Sequence, residues 1–150
     1  SVVMSFFRGK ILLNFLVRVL NRPTINWSNY KLDSSLQLND FVDLLLEPIN
    51  TTQYTYRIKL GLHEALINAV THGNKLDPEK SIRVRRIITP KWCVWQIQDQ
   101  GNGLELKKRI HKLPQKINSI NGRGLYIINE CFDDIRWSNK GNRLQLALRR

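Results

Sequence analysis

From Thr52 to His72 the apolar residues recur at helical spacing, with Ile58, Leu62, Ala65, Leu66 and Ala69 on one stripe. Gly61, Glu64, Asn68, Thr71 and His72 share a second stripe about 150° away. The pattern predicts one long helix with a greasy face and a polar face, ended by the αL-tolerant pair Gly73-Asn74. A shorter helix is expected upstream, capped by Ser34 or Ser35, running to about Glu47 and closed by Pro48 and Asn50. Two-residue alternation predicts strands near Ile25 to Leu32, Ser81 to Ile88, Lys91 to Gln98, Asp134 to Ser138 and Arg143 to Leu148. The second and third form a hairpin turned at Thr89-Pro90, and in the last one Leu144, Leu146 and Leu148 point inward. A further helix from about Arg123 to Phe132 puts Leu125, Ile128 and Phe132 on one side.

Two stretches fit no period. Residues Leu104 to Asn121 are basic and polar, are broken by Leu113-Pro114, and read as a mobile loop between two glycine turns. Residues 1–22 read as an amphipathic or disordered extension, divided from a domain at 23–150 by Asn21-Arg22-Pro23. Arg8, Lys10, Asn14 and Arg18 interrupt every window of that extension long enough to span a bilayer.

The chain has 150 residues, 42% hydrophobic and 24% charged, which suits one globular domain. Its 24 Lys plus Arg against 12 Asp plus Glu give a net charge of +12, which favours polyanionic partners: nucleotide, nucleic acid, an acidic protein or anionic lipid. The cations are spread over Arg83, Arg85 and Arg86, over Lys107, Lys108 and Arg109, and over Arg149 and Arg150, and each cluster alone reads as a solvated face. Cys93 and Cys131 lie in apolar runs without ligand spacing and read as buried thiols in a reducing compartment.

Chemistry concentrates in three places. Glu64 and Asn68 are four residues apart on the predicted helix, so their side chains lie side by side, with roughly 5 to 6 Å between Cβ atoms. Asp99 continues the inward face of Cys93, Trp95 and Ile97, an unusual place for a carboxylate, and opens the turn Asp99-Gln100-Gly101-Asn102-Gly103. Glycines there let backbone approach a flat ligand, and the carboxylate can accept hydrogen bonds from an exocyclic amine. Gly122-Arg123-Gly124 opens a helix, whose free amides and dipole suit a phosphate chain. Neither a Walker loop nor a Rossmann glycine motif is present.

In the order Glu-x-x-x-Asn, Asp-x-Gly-x-Gly, Gly-x-Gly-Leu, the chain resembles the GHKL family of ATPases and kinases, whose ATP-binding fold is the Bergerat fold. Leu62-His63-Glu64-Ala65-Leu66-Ile67-Asn68 and Gly122-Arg123-Gly124-Leu125-Tyr126 look most like bacterial anti-sigma factors that are serine kinases, and the likeness covers about Thr24 to Leu148. It implies an α+β two-layer sandwich, with a mixed, largely antiparallel sheet covered on one face by helices. It further implies ATP and Mg²⁺ as cofactors, Asn68 as metal ligand, Asp99 as adenine anchor, and Gly101 and Gly103 around the base. Gly122, Arg123, Gly124 and Leu125 would bound the nucleotide, Glu64 would be the general base, and the 104–121 segment, with Lys107, Lys108, Arg109, Lys112 and Lys116, would be a lid. The resemblance implies a cytoplasmic protein whose partners are an anti-sigma-factor antagonist and an RNA polymerase sigma factor. A homodimer is admitted, and neither direct nucleic-acid nor membrane binding is expected.

The chain departs from the family at Gly141-Asn142-Arg143-Leu144, where Gly-Thr is common, so Asn142 or Arg143 must stand in for the hydroxyl. His63-Glu64-Ala65-Leu66-Ile67 lacks the second histidine of a zinc protease motif. Two other readings stay open. The same residues would serve an ATP-binding or ATP-hydrolysing module without kinase activity. Trp92 and Trp95 near Arg83, Arg85 and Arg86 would serve a nucleic-acid surface, although Trp95 shares the inward face with Ile97.

Overall fold

A computed structural model describes residues 26–47, 49, 55–109 and 123–150. Five strands, β1 (Ser28–Asp33), β2 (Ser81–Ile88), β3 (Trp92–Gln98), β4 (Asp134–Trp137) and β5 (Arg143–Arg149), form one sheet in the order β1-β2-β3-β5-β4. Every described pairing is antiparallel, in line with the largely antiparallel sheet expected. Helices α1 (Asn39–Leu46), α2 (Thr55–Asn68) and α3 (Arg123–Cys131) supply the second layer, so the α+β sandwich holds.

The core lies between the layers because alternation in the strands and the stripe on α2 present their apolar sides to each other. Ile82, Val84, Cys93, Trp95, Ile97, Leu144, Leu146 and Leu148 meet Val42, Leu45, Ile58, Leu62, Leu66 and Ile128, all buried. Each large side chain so buried contributes about 1.5–3 kcal/mol. Trp95 is fully enclosed and stands edge-on to Phe132, which places it in the core and not on a nucleic-acid surface.

Local departures from expectation have physical causes. Helix α1 starts at Asn39, later than a Ser34 or Ser35 cap would allow, because the capping position is held by Leu38, 1% exposed and needed in the core. Ser35 instead accepts the backbone N–H of Gln37. At the other end of α1 the free carbonyls are satisfied from the sheet: Arg86 donates to Leu44 and Leu45 at 3.1 and 3.3 Å, and the Trp95 indole donates to Leu45. Arg86 is therefore a helix cap, not part of a solvated basic cluster. Gly61, on the supposedly polar stripe of α2, is buried as well, since a Cβ there would come within 2.6 Å of Cys131, the last residue of α3, and of Phe132 just beyond it.

Helix α2 does not end at Gly73-Asn74 by a left-handed cap. After Asn68 it widens into a π-helical turn, Ala69–Gly73, in which the Asn74 N–H reaches the Ala69 carbonyl at 2.8 Å. Asn74 keeps φ −82°, and the positive φ angles fall on Lys75 and Leu76, at 55° and 58°. Such wide turns recur at functional sites.

Candidate functional site

The end of β3, the π turn, the first turn of α3 and the β4–β5 connection surround a cavity of about 750 Å³, a size that suits a nucleotide-sized ligand. Ala65, Ala69, Ile97, Leu125, Leu144 and Trp137 line its apolar part. Asp99, Asn68, His72, Lys75, Asn102 and Asn142 bring the polar groups.

Asp99 sits where β3 runs out of sheet partners. Its backbone N–H donates to the Asn142 carbonyl at 3.0 Å, and the Asn142 side-chain amide donates back to the Asp99 carbonyl at 3.3 Å. The Asp99 carboxylate accepts the Gly101 N–H at 2.7 Å. Burial pushes its pKa above the ordinary 3.8, opposed by the Gly101 hydrogen bond and, more remotely, by Lys140 and Lys80. A half-buried carboxylate with spare acceptor capacity is equipped to bind a ligand donor.

Two glycines make this possible. A Cβ on Gly73 would collide with the Asp99 carboxylate, and a Cβ on Gly101 would collide with the Gly73 carbonyl. Gly101 thus does not line the cavity but lets the turn pack on the π turn, whereas Gly103, at φ 91°, does line it. Asn74, fully buried, locks the arrangement: it accepts the Gln100 N–H at 2.8 Å and donates to the Ser81 carbonyl and the Ser34 hydroxyl at 3.1 and 3.3 Å.

Glu64 and Asn68 lie together under the first turn of α3. A Cβ on Gly124 would come to 3.2 Å from both the Glu64 carboxylate and the Asn68 amide. Asn68 lines the cavity directly, while Glu64 stands beside it at the helix crossing. Leu125 and Gly124 line the cavity, Arg123 is exposed and does not, and Gly122 lies outside the described residues.

Only the start of the expected lid, through Arg109, is described; Lys112 and Lys116 lie outside. Lys107 and Lys108 line the cavity and pair with Glu105 at 3.3 and 3.4 Å. These exposed pairs are worth about 0–1 kcal/mol, so the ammonium groups can be drawn to another anion. Arg109 has a different role from the expected one: it donates to the carbonyls of Leu104, Ser138 and Asn139 at 2.8, 3.2 and 3.2 Å and rests over Trp137. Of the two residues expected to stand in for the usual Thr, Asn142 lines the cavity, whereas Arg143 borders a depression on the far side of the sheet.

Gly73, Asn74, Lys75 and Trp137 are the parts of the site that sequence reasoning missed. Lys75 is a non-glycine residue in a left-handed conformation at the cavity wall, a kind of strain that gathers at functional sites. Trp137 lines the same wall, and its buried indole N–H has no acceptor among the described residues. No spacing rule flags either residue.

Residues 39–148 match the family described as the histidine kinase-like ATPase domain. The chain belongs to that family. No curated protein matches it in sequence. Membership in this GHKL-type family implies ATP binding, and the residues fit: an apolar slot, a half-buried carboxylate, an orphaned indole donor and basic side chains at the rim of one cavity. Among the described residues no helix of this ATPase domain is long and apolar enough to cross a membrane.

Proposed function

We propose that this ATPase domain is a serine/threonine protein kinase of the anti-sigma type, which phosphorylates an anti-sigma-factor antagonist and binds an RNA polymerase sigma factor. The observation that supports it most is the packing of Glu64 and Asn68 together against Gly124, with Asn68 and the half-buried Asp99 lining one cavity. A ligand anchored by its base at Asp99 would direct its phosphates towards Asn68 and the α3 N-terminus.

In this reading the Asn68 amide oxygen would hold Mg²⁺, a hard cation suited to oxygen donors, which when bound would neutralise charge on the phosphates. Glu64, one helical turn earlier, accepts the proton of the incoming serine or threonine hydroxyl as its oxygen bonds to the γ-phosphorus and the bond to ADP breaks. Lys107 and Lys108 leave Glu105 for the phosphates. Asn142, tied to the Asp99 carbonyl, holds the adenine anchor in place where the family's Thr would stand.

Radiolabelled ATP with a candidate antagonist tests the reading. Label is expected on a serine or threonine of the antagonist. Label released only as free phosphate would instead mark an ATP-hydrolysing module without kinase activity.

A further inference from the structure

The face of the sheet turned away from the helices carries a concentration of cations that the nucleotide cavity does not use. In register, Lys31 stands directly opposite Arg83, and Arg83 is followed across the sheet by Gln98 and Arg143. Arg85 projects one step along from Arg83. All four cations are exposed, and together with Gln96 and Gln98 they border a depression of about 460 Å³. None forms an ion pair among the described residues. Asp33, exposed at the end of β1, is the nearest carboxylate in register and pairs with none of them.

Like charges directly opposite on neighbouring strands destabilise a sheet. The Lys31–Arg83 pairing is therefore a standing cost to the fold, relieved when an anion neutralises the face.

We propose that this outer sheet face docks an acidic protein segment, whose carboxylates pair with Arg83, Arg143, Lys31 and Arg85. Guanidinium groups match carboxylates with two parallel hydrogen bonds, and the Gln98 amide beside them offers a further donor. A second copy of the chain does not fit, because it would bring the same positive face and the same +12 charge. A single-stranded nucleic acid fits less well. The aromatic rings flanking the face are already occupied, Trp27 by Arg85 at 4.6 Å and Trp92 by Arg149 at 5.5 Å, so the stacking platforms that such ligands use are covered.

Fluorescence anisotropy on the full chain tests this with two probes of equal charge, an Asp/Glu-rich peptide and a single-stranded oligonucleotide, and with Arg83→Gln/Arg143→Gln beside a Lys91→Gln control. The parent and the control are expected to bind the peptide more tightly than the oligonucleotide. The double variant should lose about tenfold or more in peptide affinity while its melting temperature stays level or rises, since repulsion has been removed. Failure of the parent to bind the peptide, equal peptide binding by parent and double variant, or tighter oligonucleotide binding that the double variant abolishes would each overturn the proposal. A drop in melting temperature of the double variant would also count against it, because the cations would then be stabilising the free fold.

Discussion

The carboxylate of Asp99 occupies the space that a side chain on Gly73 would need. This contact joins the π turn at the end of α2 to the end of β3, and it makes the backbone of one element a wall for the functional group of the other. Gly73→Ala should therefore displace the carboxylate. The expected result is destabilisation by about 1–3 kcal/mol, as for other overpacked sites, with a loss of ATP affinity larger than the stability loss explains. Chemical denaturation and nucleotide titration on the same variant check it.

Asp99→Asn should separate stability from binding. Burial raises the pKa of Asp99, so its contribution to stability is full below the ordinary carboxylate pKa of 3.8 and is lost as pH rises through the higher folded-state value. Asparagine removes that loss and can still accept the Gly101 N–H. The ligand-free variant should unfold at the same or a higher temperature at neutral pH, with a flatter pH profile through the acid range, and should bind ATP about tenfold or more weakly. Melting curves across pH and a titration provide both readouts.

Glu64→Gln should leave ATP affinity nearly unchanged, because the residue lies beside the cavity and not in its lining. Under the kinase reading, transfer to a protein acceptor falls by about 10²–10⁴-fold, the usual contribution of a general base. Single-turnover transfer measures it.

Arg109→Ala should weaken the fold more than it weakens nucleotide binding, since the guanidinium is committed to three carbonyls and to Trp137. A loss in affinity without a loss in melting temperature would return Arg109 to the phosphates.

The two thiols should be inert. Burial lifts Cys93 to about 11 against the opposing pull of Arg86 and Arg150, and it raises Cys131 as well. Neither thiolate is populated near neutral pH, so a thiol reagent should label the native chain far more slowly than the unfolded one.

Much of this architecture was legible in the sequence, for stated reasons. Alternation located β2 and β3 because Ile82, Val84, Cys93, Trp95 and Ile97 face a single core. The inward phase of β3 also put Asp99 on the apolar face, where the structure half-buries it. Helix ends were harder to read, because the start of α1 is set by burying Leu38 and not by a serine cap, and a π turn leaves no periodic trace in five residues. The expectation for Gly61 failed because it was assigned by angle on α2 alone, while its environment comes from Cys131 and Phe132 at the end of another helix. Asn74 looked like a helix terminator and is instead a buried hydrogen-bond node, visible only once the strands that it joins are in place.

The most direct test of the central claim is a titration of ATP with and without Mg²⁺ into the parent, Asp99→Asn and Asn68→Ala. The parent should bind Mg-ATP; Asp99→Asn should lose affinity whether or not the metal is present, and Asn68→Ala should lose chiefly the enhancement due to Mg²⁺. Undiminished Mg-ATP affinity in both variants would contradict the placement of the nucleotide between Asp99 and Asn68.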